Sequence, residues 1–328
     1  MTALRATLVA ILAAAATPAA AFVQTCVGTP KLCLKWPTPS ITWKINPSQP
    51  NAAPSCQPGD ASGPAIDVAK ASFATWQGAT HPGDTAACTN LSFTYGGVTS
   101  SIKAGADTSE HVVLFRQGWC SQNPSAVSDP CFQAVPPTCG NKYGCFDDEG
   151  GAGRSTLALT SVSYNATNGT ILDSDTEIVD WNGGTGAIDT NVTNGIYVTC
   201  YTSAAPAATC SSYGQADCVY YDLQNTLTHE IGHFIGLAHP CEPSKGIACT
   251  AAMADVTMYP YEQPVETKKR TLSPDDVDGV CTLYPAGSTS GSGGGGPSSS
   301  HGGCATGPGF AGTTLLALLA LGLRRRRR

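Results

Sequence analysis

Eleven consecutive residues constrain this chain more than any other feature: His229-Glu230-Ile231-Gly232-His233-Phe234-Ile235-Gly236-Leu237-Ala238-His239. Leu223, Leu227, Ile231, Phe234 and Ile235 recur at a period near 3.6 and predict a helix. Residues four apart stack on one helix face, so His229 and His233 present adjacent imidazoles. Gly236 accepts positive φ and ends the helix, and the turn it permits brings His239 round as a third imidazole. Three such ligands leave the fourth tetrahedral position to water, the arrangement of a catalytic zinc (Zn2+). Glu230 lies one residue from the first ligand and can reach that water as general base. From this composition the full pattern is expected on the order of 10⁻⁵ times by chance, so solvated helix histidines are a poor explanation of it.

The ends of the chain carry a compartment. Residues 1–21 predict a secretory signal peptide: Arg5, an apolar stretch from Ala6 to Ala16, then Ala19-Ala20-Ala21 before Phe22. From Ala286 to Gly303 the composition collapses to Gly, Ser, Thr, Pro and Ala with one His, a flexible linker. Residues 304–328 follow: Cys304, an apolar run from Phe310 to Leu323, and the block Arg324 to Arg328. That order resembles the MYXO-CTERM sorting tails of some Gram-negative bacteria, which implies processing near the cysteine and attachment at the cell surface or outer membrane. A plain C-terminal membrane anchor is the alternative, with the arginines held cytoplasmic. The 15 cysteines become 14 without Cys304, an even set that predicts a disulfide framework in an exported chain. Without Arg5 and the tail arginines, Lys+Arg falls from 18 to 12 against 24 Asp+Glu, a balance near −12. An acidic chain with no internal basic run excludes nucleic acid as a partner. A monomer is expected.

Residues 22–285 are expected to form one α+β domain. Ile41 to Ile45, Leu91 to Tyr95 and His111 to Phe115 are strand candidates, and Ala65 to Gln77 carries apolar residues at helical spacing. The stretch at about 118–153 has four cysteines, several prolines and little periodicity, and is expected to be a disulfide-stapled insertion. Leu157 to Tyr164 and Thr170 to Val179 flank an Asn-Gly hairpin signal. Cys200 to Cys218 is a second cysteine-containing loop. Ser273 to Tyr284 predicts a C-terminal helix with Ser273 as N-cap, Pro274 first, and Asp275-Asp276 in the first turn.

The extended motif resembles the metzincin metallopeptidases, and its surroundings are similar to the matrixins among them. Met258-Tyr259-Pro260 resembles the Met-turn, an apolar floor beneath the zinc. Thr271 to Val280 resembles the matrixin C-terminal helix, and Trp36 to Ile45 the lead-in and first strand. The resemblance implies a zincin/metzincin catalytic domain of α+β class: a twisted mixed sheet, the zinc helix beneath it, and a C-terminal helix. It implies a zinc endopeptidase whose protein or peptide substrate lies extended along an edge strand, for which Leu157 to Tyr164 is the candidate. Pro240 departs toward the serralysins, whose G-G-x-G-x-D repeats are absent here, and neither Tyr259 nor Tyr261 is assigned as a ligand. The structural zinc usual in matrixins is expected to be missing, because His81 and His111 are the other domain histidines and Ile171 or a neighbour stands where a ligand histidine is expected.

Other features stay open at this level. Asp173, Asp175 and Glu177 alternate along a strand and share a face, which is either a calcium (Ca2+) site or a solvated face; Asp147-Asp148-Glu149-Gly150 is a second such stretch. Cys26–Cys33 and Cys241–Cys249 are expected bridges, the latter because a free thiolate two residues past His239 would compete for zinc. A new ammonium at Phe22 could pair with Asp275 or Asp276. The rival to the enzyme is a non-catalytic cell-surface binding or adhesion protein that keeps the fold.

Overall fold

The computed structural model describes residues 22–46, 64–105, 110–117, 120, 123–134, 139, 142–146, 156–180, 196–199, 219–263, 266–287 and 324–325. The signal peptide, most of the linker and tail, Asp147 to Gly150 and the Cys200–Cys218 loop lie outside or almost wholly outside these residues.

Five strands form the main sheet: β1 (Ser40–Asn46), β2 (Ser92–Val98), β3 (Val112–Gln117), β4 (Ala158–Tyr164) and β5 (Ile171–Asp180). Their spatial order is β4-β5-β3-β1-β2, with the two-residue strand Arg324–Arg325 outside β4 at Ser163–Tyr164. The pairs β1–β2, β1–β3 and β3–β5 are parallel, and β4 alone of the five runs antiparallel to its neighbour. Parallel neighbours need a crossover; between β1 and β2 it is helix α1 (Pro64–Gln77).

Helix α1 and helix α2 (Leu223–Phe234) pack together on the sheet. In β1 the inward residues Ile41, Trp43 and Ile45 are buried, and Phe73 of α1 stacks on Trp43 at 4.2 Å. Phe73 also meets Phe234 of α2 edge-on at 5.5 Å. Two indoles tie this apolar layer to the backbone of α2: Trp76 Nε1 donates to Thr228 O and Trp36 Nε1 to Phe234 O, both at 2.8 Å. Large aromatics supply apolar area while their N–H groups satisfy a buried donor and acceptor at once.

Helix α2 begins at Asp222, whose Oδ1 accepts from Asn225 N at 2.8 Å and from Arg270 Nε at 2.8 Å. It ends where the sequence places its stop. Gly236 has φ +96°, and a Cβ there would lie 2.5 Å from Leu34 O, so only glycine fits. Past it, Leu237–Ala238 pairs antiparallel with Val23–Gln24, and Thr25 N donates to Gly236 O at 2.8 Å. The start of the described chain thus braces the segment that leads to His239.

The C-terminal helix α3 (Pro274–Leu283) carries the expected N-terminal chemistry. Ser273 and Asp276 form a reciprocal capping box behind Pro274. Among the described residues five disulfides join Cys26–Cys33, Cys88–Cys281, Cys120–Cys145, Cys131–Cys139 and Cys241–Cys249. The insertion is stapled by two of them but is not without regular structure: Pro124–Val127 and Pro130–Gln133 are short helices capped by Asn123 and Asp129. Among the described residues no helix is long and apolar enough to cross a membrane.

Candidate active site

Helix α2 carries His229, Glu230 and His233 on one side, and the turn at Gly236 returns His239 to them. The three Nε2 atoms converge, with His239 Nε2 at 3.2 Å from that of His229 and 3.0 Å from that of His233. Two nitrogens at zinc-bond length from one tetrahedral ion stand about 3.3 Å apart, so the set fits such an ion. The tautomers fit as well. His229 Nδ1 lies 2.7 Å from Thr257 O and His233 Nδ1 2.9 Å from Leu237 O. A carbonyl only accepts, so each Nδ1 carries the proton and each Nε2 turns a lone pair inward. Burial holds all three rings neutral: it lowers His229 well below the ordinary value, His233 to about 4 and His239 to about 2. Neutral imidazole is the form that ligates a metal.

Glu230 is buried beside them. Its Oε2 accepts from Thr160 Oγ1 of β4 at 2.6 Å, and burial raises its pKa to about 7 despite that bond. Thr160 also meets Thr176 of β5 at 2.9 Å, which fixes the hydroxyl between strand and helix. The four residues line a cavity of about 400 Å³ that also takes in Leu157, Leu159 and Thr160 around β4. The candidate edge strand therefore does border the site.

Beneath α2 sits Met258, buried against the helix backbone. A Cβ on Gly232 would come within 2.1 Å of the Met258 sulfur and 3.0 Å of Trp76, which explains the glycine at this place in the motif. The Met258 turn is held by Asp276 of α3, which accepts from Thr257 N at 2.8 Å and Met258 N at 3.2 Å. Thr257 O in turn accepts from His229, so one carboxylate at a helix start is linked to the orientation of an imidazole.

Asp173, Asp175 and Glu177 share a face of β5 as expected, but that face is not solvated, since the three are 0%, 1% and 3% exposed. Each has a protein partner: His111 Nδ1 for Asp173 at 2.8 Å, Gly105 N and Val112 N for Asp175 at 2.8 Å, and Arg116 Nε for Glu177 at 2.5 Å. Among the described residues their oxygens do not gather into a metal-ligating cluster. The partners come from the 99–117 stretch, more than 55 residues away in sequence, which no local pattern announces. Burial and then the Asp173 charge push Asp175 well above the usual carboxylate range.

Three residues of the site carry no signal in the motif. Thr160 positions Glu230 from another strand. Lys269 is 2% exposed, with Nζ donating to Tyr259 O at 2.7 Å and Tyr261 O at 2.9 Å, so it pins the backbone after Met258. Glu262 joins the cavity lining from that same segment. Asp222 did have a signal, as an acidic residue just before an apolar helical run.

Mixed sheet, site helix, methionine turn and capped last helix together make an α+β fold consistent with that of the metzincins. Residues 143–285 match the matrixin family. Metalloendoproteinase 1-MMP of Arabidopsis thaliana is 42% identical over 66 residues, 20% of this chain and 15% of that protein. Metalloendoproteinase 4-MMP of the same plant is 39% identical over 66 residues, and Metalloendoproteinase 1 of Glycine max 36% over 64. The chain spans 15 to 17% of the length of these curated relatives. The family match covers β4, β5, α2 and α3 and begins after β1 to β3 and α1.

Proposed function

We propose that the chain is an exported zinc endopeptidase in which His229, His233 and His239 hold the ion, Glu230 is the general base and Met258 forms the floor. The observation that carries this reading is the convergence of three imidazole Nε2 atoms beside a buried carboxylate, on the wall of a cavity bordered by β4. Bound there, zinc would supply Lewis acidity to the scissile carbonyl and acidity to a water molecule. The chain's own residues do the rest. Glu230 accepts the proton of the attacking water and returns it to the leaving amine. Its raised pKa suits it to both tasks, and Thr160 holds the carboxylate so that one oxygen remains toward the cavity. An extended substrate adds to the edge of β4 ahead of the Ser163–Tyr164 stretch that pairs with Arg324–Arg325, where backbone pairing binds any sequence and pockets select side chains.

In the same proposal the signal peptide is removed before Phe22, and the tail attaches the processed monomer to the surface of a Gram-negative cell. Phe22 N already lies 2.9 Å from Asp275 Oδ1, where a newly formed ammonium would pair. The full chain should retain one zinc per molecule and cleave casein, lose cleavage to a chelator, and regain it with zinc. His239→Ala should abolish zinc retention. Full metal loading without cleavage of any protein or peptide would favour the binding-protein alternative.

A further inference from the structure

The cavity beside the three histidines also holds a carboxylate with no catalytic task, Glu262. We propose that Glu262 determines specificity by selecting substrates that place a lysine or arginine side chain, adjacent to the scissile bond, in this cavity. The inference rests on the peptidase reading and names the substrate class of that site.

Four observations support it. The cavity, about 400 Å³, is large enough for one long side chain, and Leu157, Leu159, Tyr221 and Pro260 give it apolar wall. Lysine and arginine match that division, since their methylene stems pack on apolar surface while the head seeks an anion. The Glu262 carboxylate is bonded, among the described residues, by the Thr226 hydroxyl, 3.1 and 3.2 Å from its two oxygens. One hydroxyl proton cannot satisfy a carboxylate that accepts at about four sites. Asn225 also favours its charged form as an amide neighbour, although no bond of good geometry joins the buried Nδ2 to it.

Among the described residues Lys269 is the cation that acts on Glu262, and its ammonium is bonded elsewhere. Its ammonium is bound by the carbonyls of Tyr259 and Tyr261 and forms no ion pair with Glu262 within 4.0 Å. Glu230 and Glu266 also act on Lys269, and Glu266 is in addition paired with Lys268 at 3.8 Å. Burial, with the Glu266 charge, raises the Glu262 pKa to about 8 against the pull of Lys269, Asn225 and Thr226, so an entering lysine or arginine head displaces a proton from it. Elsewhere in the molecule such carboxylates have a guanidinium: Asp222 has Arg270 and Glu177 has Arg116. Here the place of the guanidinium is open to a ligand.

The test uses the zinc-loaded full chain and quenched peptides varied at the positions on either side of the scissile bond. With wild type, kcat/KM for lysine or arginine at one of those positions should exceed that for leucine at least tenfold. Glu262→Gln should bring the ratio close to one, while Glu262→Asp, which keeps the charge, should retain most of it. Mapping wild-type cleavage sites in casein needs no variant and should show basic residues flanking the cut. Apolar preference in wild type, or a ratio unmoved by Glu262→Gln, overturns the proposal and leaves the peptidase reading standing. A zinc-loaded chain that cleaves no peptide overturns both.

Discussion

The three carboxylates of β5 and Glu230 at the cavity are all buried, and they differ in partners more than in burial. On β5, Asp173, Asp175 and Glu177 are 0 to 3% exposed and are met by an imidazole, two backbone amides and a guanidinium. At the cavity Glu230 is 6% exposed, and its side-chain partner is one threonine hydroxyl; Glu262 is half-buried, with Thr226 and Asn225 beside its carboxylate. A charge that is met holds chain segments together, whereas a charge left short of partners is available to substrate or water. Exposure alone would not separate the two groups.

The largest effect that would sharpen this contrast is on stability. Glu177→Gln leaves Arg116 without its carboxylate in the interior and should cost about 3 kcal/mol, read as a lower urea midpoint, with kcat/KM per folded molecule unchanged. Thr160→Val removes the hydroxyl from Glu230 and should do the reverse. Activity should fall about tenfold, near 1.4 kcal/mol in the barrier, with a smaller shift in the urea midpoint than Glu177→Gln produces. Loss of activity in the first variant or of stability alone in the second would break the division.

A smaller effect is expected where the chain start meets α3. Asp275→Asn should lower the melting temperature of the chain beginning at Phe22 by the equivalent of about 0.5 to 1 kcal/mol, and should lower it less when residues precede Phe22. The smallest effect concerns pH. A histidine whose pKa is lowered binds a competing proton only at lower pH, so acid weakens metal binding later than usual. Three ordinary histidines would lose about 10³-fold in zinc affinity between pH 7.5 and 5.5. With His233 at about 4, His239 at about 2 and His229 also lowered, the loss should stay below tenfold in a competition titration.

The sequence made α1, α2, α3 and the five strands legible because each carries a local period and local end signals. Ser273-Pro274 and Gly236 fixed helix ends to within a residue, and β5 was expected at Thr170 to Val179 against Ile171–Asp180 observed. The three converging histidines were legible because residues 229–239, with one glycine turn, contain them all. Contacts made across the fold were not. Asp173 finds His111 62 residues away, and Glu230 finds Thr160 70 residues away. Alternation put the three β5 carboxylates on one face correctly, yet it could not say that the 99–117 stretch covers that face. The Cys88–Cys281 bridge, spanning 193 residues, was likewise beyond any local pattern.

The central claim is that Glu230 is the base of a zinc site and not a structural carboxylate like those of β5. Casein hydrolysis by the full chain at one zinc per molecule, wild type beside Glu230→Ala, tests it most directly. Loss of about 10² to 10⁴ in rate, with zinc content and urea midpoint retained, is the predicted result. Cleavage that survives Glu230→Ala at the wild-type rate would contradict the account.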